Sequence, residues 1–428
     1  MADKKIFSLE GKGLKLDTAA DIEPHIKELK ENDEVEEVRL LGNTLGIGAS
    51  EALAKILETK KKLQVANLAD IFTARLLSEI PPALSHLLTS LLTLPNLHTI
   101  NLSDNAFGLN TQAPLVDFLS KHVPLRHLIL NNNGLGPAAG VLIAEALTTL
   151  AKKKEAAKSE SKEVPDLETI ICGRNRLENG SMAAWATAYA AHKNMRTVKM
   201  VQNGIRQEGI THLLTHGLSQ TTKLETLDLQ DNTFTATGAK ALSDVVGSWT
   251  DIKELGVGDC LLSGRGGVTL ASALAKGKNG KLEVLRLQYN EINTKGVEGL
   301  ASAASALPSL RRVELNGNVF DEEDEHIAKL REVLDERKEA ADGRGEDDDE
   351  YWGLDELDDL EEADEEEEEE SDEDLKRAVS DDEEGVEVEE KAARELVETQ
   401  RAEDENVAPE KSKSVDDLAD ILAKTEIK

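Results

Sequence analysis

LRHLILNNNGL, residues 125–135, places apolar side chains at its first, fourth, sixth and last positions and an asparagine at its ninth. The same outline returns in VEEVRLLGNTL from Val35, LHTINLSDNAF from Leu97, LETIICGRNRL from Leu167 and MRTVKMVQNGI from Met195. It returns again in LETLDLQDNTF from Leu224, IKELGVGDCLL from Ile252, LEVLRLQYNEI from Leu282 and LRRVELNGNVF from Leu310. A degenerate copy, LQVANLADIF, starts at Leu63. The apolar-x-apolar step has the two-residue period of a short strand. After each asparagine the apolar spacing changes to that of a helix. One such unit cannot bury its apolar face alone, so successive units must stack into a solenoid.

This is the leucine-rich-repeat pattern. The turn position falls at Asn43, Ile71, Asn105, Asn133, Asn175, Asn203, Asn232, Cys260, Asn290 and Asn318, and most gaps are close to 28 residues. That period leaves room for a full α-helix in every unit. Pro137 suits a first helical turn, and Ala139, Ile143, Ala146, Leu147 and Leu150 mark one apolar face behind it. Ala239, Leu242, Val245, Val246 and Trp249 do the same after Asn232. The spacing predicts an α/β leucine-rich-repeat solenoid, a horseshoe with parallel strands inside, helices outside and about 10–11 repeats. Residues 1–34 read as an N-terminal cap with a partial repeat at FSLEGKGLKL, 35–320 as the repeats, 321–340 as a closing cap helix and 341–428 as an acidic, mostly disordered tail.

The net charge of -34 is concentrated in that tail. Between Glu346 and Leu375 there are 21 acidic residues and no basic one, too little apolar surface to offset the entropy of ordering. Order is therefore expected to end near residue 340, and a cut after about residue 342 to leave the melting midpoint nearly unchanged. Val415, Leu418, Ile421 and Leu422 recur at helical spacing near the C-terminus, either a transient helix or a small partner-binding one. Two long gaps mark insertions, one within residues 72–96 and one at KKKEAAKSESKEVPD from Lys152, a polar stretch expected to form a mobile loop. The two cysteines, Cys172 and Cys260, occupy repeat positions, so buried reduced thiols are expected and a disulfide framework is excluded. No run approaches the ~18 apolar residues of a membrane span, and no apolar leader opens the chain. An intracellular, soluble protein is expected.

Signatures of covalent chemistry are absent: no phosphate-cradling G-x-x-x-x-G-K-[ST], no H-E-x-x-H, no G-x-S-x-G and no cysteine–histidine metal spacing. Horseshoes of this kind bind proteins through variable side chains on the inner face and in the loops after each strand. The consensus asparagines are structural, their amides satisfying backbone groups in the turn. Asn132, Arg75, Arg174, Arg176 and Gln202 lie outside the consensus slots and are the candidate binding residues.

Several segments together resemble one family, the fungal-type GTPase-activating proteins of the small GTPase Ran. They include DIFTARLLSEIPPAL from Asp70, LHTINLSDNAFG from Leu97, NNGLGPAAG from Asn132, ICGRNRLENGSM from Ile171 and TVKMVQNGIRQEGI from Thr197. The resemblance runs nearly continuously over residues 6–340 and extends to the acidic tail. It implies acceleration of GTP hydrolysis on GTP-bound Ran, with a Ran-binding protein as a further member of the complex, in the cytoplasm or at the nuclear envelope, as part of nucleocytoplasmic transport. It also implies that the protein holds no cofactor of its own, GTP and Mg²⁺ being held by the GTPase, and that neither nucleic acid nor membrane is a partner.

Many activators insert an arginine into the GTPase. The resemblance implies instead that the GTPase's own glutamine is ordered, with Asn132 nearest that machinery and Arg75 acting through the interface. Where members of the family carry a lysine two residues after that arginine, this chain has Leu77. If Arg75 acts as a point charge, lysine should replace it. Two other readings compete: a non-catalytic binder or inhibitor, which in this repeat class is cysteine-rich and tailless, and an acidic-tail histone-type chaperone, which has about five repeats.

Overall fold

The computed structural model describes residues 5–341 and 351–361. Twelve parallel strands pair in chain order in one sheet, from Ile6–Ser8 through His127–Ile129 to Gly353–Leu354. The register sets Ile100 beside Leu128 and Leu128 beside Ile170, and all three are buried. Strands stack at ~4.8 Å, whereas packed helices need ~8–10 Å. A stack of strand–helix units therefore bends, with the sheet on its concave side. The helices Gly136–Ser159 and Thr235–Val245 bury Ile143, Leu147 and Leu150, and Ala239 and Leu242, against the strands.

At the N-terminal end, Ile6–Ser8 pairs with Glu37–Arg39 and Lys15–Leu16 with Thr44–Leu45. Thr18 and Asp21 form a capping box on the short helix Ala19–Ile22, and Ile22, Ile26 and Leu29 cover the first repeat.

The turn asparagines form a ladder. Asn175 donates its amide to the Leu130 carbonyl at 2.8 Å and the Gly173 carbonyl at 2.9 Å, while its Oδ1 accepts from the Asn133 backbone at 3.0 Å. Asn203 serves Asn175 in the same way, and Asn318 serves Asn290. Cys260, standing in the asparagine slot, turns its thiol toward the Leu229 and Gly258 carbonyls. Both cysteines are buried and unbridged, and burial pushes their thiols up to about 12. Because each ladder amide is buried, Asn175→Ala strands several backbone groups. A loss of about 3 kcal/mol in unfolding free energy is expected, read from urea denaturation.

Two buried histidines stitch neighbouring repeats. His122 Nε2 bonds the Leu97 carbonyl at 2.7 Å and His192 Nε2 the Leu147 carbonyl at 2.9 Å. Burial holds both imidazoles down at about 4 against an ordinary 6.5. The unfolded chain therefore takes up protons before the folded one does. Their contribution is complete above pH 6.5 and disappears as pH falls toward 4, up to about 3 kcal/mol each. Replacing both by glutamine should flatten the fall of the urea midpoint between pH 6.5 and 4.

Two expectations need correction. The stretch from Lys152 is not a loop throughout, because the helix from Gly136 continues to Ser159. Its Ala, Lys and Glu residues favour helix, and the Lys154 ammonium is buried on the Val123, Leu125 and Pro165 carbonyls at 2.6–2.7 Å. Lys158 pairs with Asp166 beyond the helix end.

Order also does not stop at the cap helix, Glu325–Ala340. Residues 351–361, assigned from sequence to the disordered tail, lie along the last repeat, with Gly353–Leu354 parallel to Arg312–Val313. The Asp355 carboxylate accepts from the Leu315 and Asn316 backbones at 2.7 and 3.0 Å. Arg312 donates to the Trp352 and Leu354 carbonyls, and Leu357 is buried. An open strand edge recruited the segment, an interaction that local composition does not encode. The expected helix over 414–427 lies outside the described residues.

Candidate functional site

The residue before each ladder position carries a left-handed backbone. Asp104, Asn132, Arg174, Gln202, Asp231, Asp259 and Tyr289 have φ between 51° and 60°. Such a turn sends the chain from strand to helix and leaves the side chain on the rim. Each position is pinned to the next repeat: the Asp104 backbone donates to Asn131, Asn132 to Gly173, Arg174 to Val201 and Gln202 to Gln230, all at 2.8–2.9 Å. Asn132, Arg174 and Gln202 thus occupy consecutive rungs at roughly the spacing of strands. Arg176 stands beyond the ladder asparagine from Arg174, with φ 56°.

Asn132 is exposed, but its amide is not free to turn. Nδ2 donates to Asp104 Oδ1 at 2.8 Å, so a carboxylate one rung away orients it. Reading single copies misses Asp104. Aligning the eighth column of all copies would have shown it beside Asn132.

Arg75 is not an isolated surface charge. Its side chain is only 6% exposed and pairs with Asp17. Nε donates to Thr44 Oγ1 at 2.8 Å, and Nη2 to the Thr44 carbonyl at 2.9 Å and the Leu16 carbonyl at 3.3 Å. Ile71 leaves the ladder without an amide at this turn, and the guanidinium fastens the loop to the N-terminal cap instead. This geometry needs the fork, not a point charge. Arg75→Lys is therefore expected to recover less than about a third of what Arg75→Ala loses, read as the concentration giving half-maximal activation.

Arg176 is open: its side chain is 83% exposed and lies 3.9 Å from Glu178. The Asp231 carboxyl near Gln202 is held above its ordinary range by burial and by the Asp259 charge. These residues and Leu261 line a shallow groove of about 410 Å³. Just before the strands the charges alternate from repeat to repeat. Glu168 meets Arg126 at 2.8 Å and Arg196 at 3.6 Å, and Glu225 meets Arg196 and, at 2.8 Å, Lys253. Leu77 is 61% exposed on the rim.

Among the described residues, no three His, Cys, Asp or Glu side chains are grouped to hold a metal ion, and no helix is long and apolar enough to cross a membrane. The site offers a rigid row of polar side chains to a macromolecular surface.

A sequence family described as Leucine Rich repeat matches residues 220–243 and 278–301. Among solved structures, an internalin from Listeria monocytogenes is similar at 16% identity, covering 76% of this chain and 84% of that one with a TM-score of 0.38. Ran GTPase-activating protein 1 of Saccharomyces cerevisiae is 41% identical over 343 residues, 78% of this chain and 83% of that protein. The Ran GTPase-activating protein of Drosophila melanogaster is 34% identical over 320 residues, 74% of this chain and 53% of that protein. Ran GTPase-activating protein 1 of Xenopus laevis is 40% identical over 202 residues, 46% of this chain and 34% of that protein. At 41% identity over 83% of the yeast protein, the chain belongs to the Ran GTPase-activating protein family.

Proposed function

We propose that this protein accelerates GTP hydrolysis on GTP-bound Ran by fixing the GTPase's own catalytic glutamine, with Asn132 as the positioning group. The observation that carries this reading is the oriented, exposed amide of Asn132, braced by Asp104 on a left-handed turn. A group already held in place loses little freedom when it meets its target, and such preorganisation is what rate acceleration by positioning requires. GTP and Mg²⁺ belong to the partner in this scheme. A Ran-binding protein as a third component, a cytoplasmic or nuclear-envelope location and a role in nucleocytoplasmic transport follow from the same reading.

Arg75, with its guanidinium bonded to Asp17, Thr44 and Leu16, suits an interface brace better than a group inserted into a phosphate site. The exposure of Arg176 favours a second reading, an arginine supplied in trans. The two separate kinetically. On the glutamine-ordering reading, Arg174→Ala and Arg176→Ala raise the half-saturating concentration several-fold and leave the plateau within about twofold. On the finger reading, one of them lowers the plateau by ~10³ or more. The function itself is tested by multiple-turnover hydrolysis with the protein far below Ran·GTP. Acceleration beyond one turnover per molecule is expected. An inhibitor or a histone-type chaperone would give none.

A further inference from the structure

Among the described residues, the large hydrophobic side chains that remain exposed are confined to a few places. Ile47, Leu76, Leu77, Leu109, Leu261 and Tyr289 all lie between the end of a strand and the first turn of the next helix, and Tyr351 follows the cap helix. Later turns of the outer helices and the strands of the concave face contribute none. Singly exposed leucines scattered over a surface need no explanation. Confinement to one rim does.

Four of them fall on three successive turns. Ile47 opens the helix Ile47–Leu57, Leu76 and Leu77 sit in the loop before Ile80–Leu91, and Leu109 precedes Gln112–Leu119. The strands feeding these turns are adjacent in the sheet, Glu37–Arg39 beside Val65–Asn67 beside Thr99–Asn101. Leu76 and Leu77 are the most exposed of the set, at 68% and 61%. Their loop is held at both ends. The loop is tied on one side by Arg75 to Asp17 and Leu16 of the cap and closed on the other by the Glu79 carboxylate, which accepts from the Leu76 backbone at 3.0 Å. Thr73 joins its base to Asp70, and the Asp70 backbone donates to Ser103, next to the Asp104 that orients Asn132. A tied loop holding two leucines in water, two rungs along the rim from Asn132, offers apolar area and little freedom to lose on contact with a partner.

We propose that Leu76 and Leu77 are an apolar anchor for the GTPase, packing against an apolar patch of its surface. This rests on the function proposed above and gives the interface a component insensitive to salt. Apolar contact does not depend on screening, whereas charge contacts weaken as ionic strength rises.

The test is single-turnover hydrolysis of Ran·GTP over a range of concentrations of the full-length protein, comparing wild type, Leu76→Ser, Leu77→Ser and the double variant at low and high salt. Both side chains are exposed, so the variants should melt with wild type. The double variant should raise the half-saturating concentration by about tenfold or more, equally at both salt concentrations, with the plateau within about twofold. Half-saturation within about twofold of wild type, or a deficit that vanishes at high salt, overturns the anchor while leaving the activity intact. Wild-type protein that fails to accelerate hydrolysis overturns both the anchor and the function it rests on.

Discussion

Asn132→Ala is expected to lower the saturated rate of Ran·GTP hydrolysis by ~10²–10³, the usual consequence of removing one preorganised polar group from a transition state. Its effect on half-saturation should be much smaller. The loss would not come from unfolding, since the neighbouring Asn133 carries the ladder bonds to Leu130, Asn131 and Asn105. Alanine does meet some strain at φ 53°, of about 1 kcal/mol, and Asn132→Gly removes that strain without restoring the amide. Both variants should therefore share the kinetic defect, while Asn132→Gly melts at or above Asn132→Ala. Asp104→Ala should give an intermediate plateau, because the amide survives but its orientation is no longer fixed. A glycine variant with a normal plateau would show that backbone shape, not the amide, is what the rim supplies.

Truncation should divide the tail in two. Removing everything after residue 342 takes away the strand at Gly353–Leu354, the Asp355 carboxylate on the Leu315 and Asn316 backbones and the buried Leu357. Burial of one leucine and a few edge hydrogen bonds is worth about 3 kcal/mol, and the melting midpoint should fall by about 4 °C. A chain ending at residue 361 keeps these contacts and should melt with full-length protein. The first result reverses what composition alone suggests for a cut at 342. Equal melting of all three lengths would mean that the edge strand contributes nothing to folding.

The repeat core was legible because the same local solution is written about ten times. Leu128, Ile170 and Val198 occupy one buried column, and the asparagines that the consensus marks as structural are the ladder amides. Asn132, Arg174 and Gln202 could be picked out as outside the consensus, and they do stand on successive rungs. Interactions between distant parts of the chain were not legible. Arg75 reaches Thr44 and Asp17, 31 and 58 residues away, and nothing in DIFTARL indicates that its arginine is built into the cap. The strand inside YWGLDELDDLE was hidden by its acidity. The helical extension to Ser159 lies in KKKEAAKS, which is polar but has high helix propensity.

The central claim is that the rim accelerates hydrolysis by positioning through an amide and supplies no arginine to the phosphates. The most direct test is the plateau rate of single-turnover Ran·GTP hydrolysis at saturating Asn132→Ala, Arg75→Ala, Arg174→Ala and Arg176→Ala, each measured against wild type. The account predicts that Asn132→Ala alone loses ~10²–10³ at the plateau, while the three arginine variants change mainly the concentration needed to reach it. A collapsed plateau in any arginine variant, with Asn132→Ala near wild type, would contradict it.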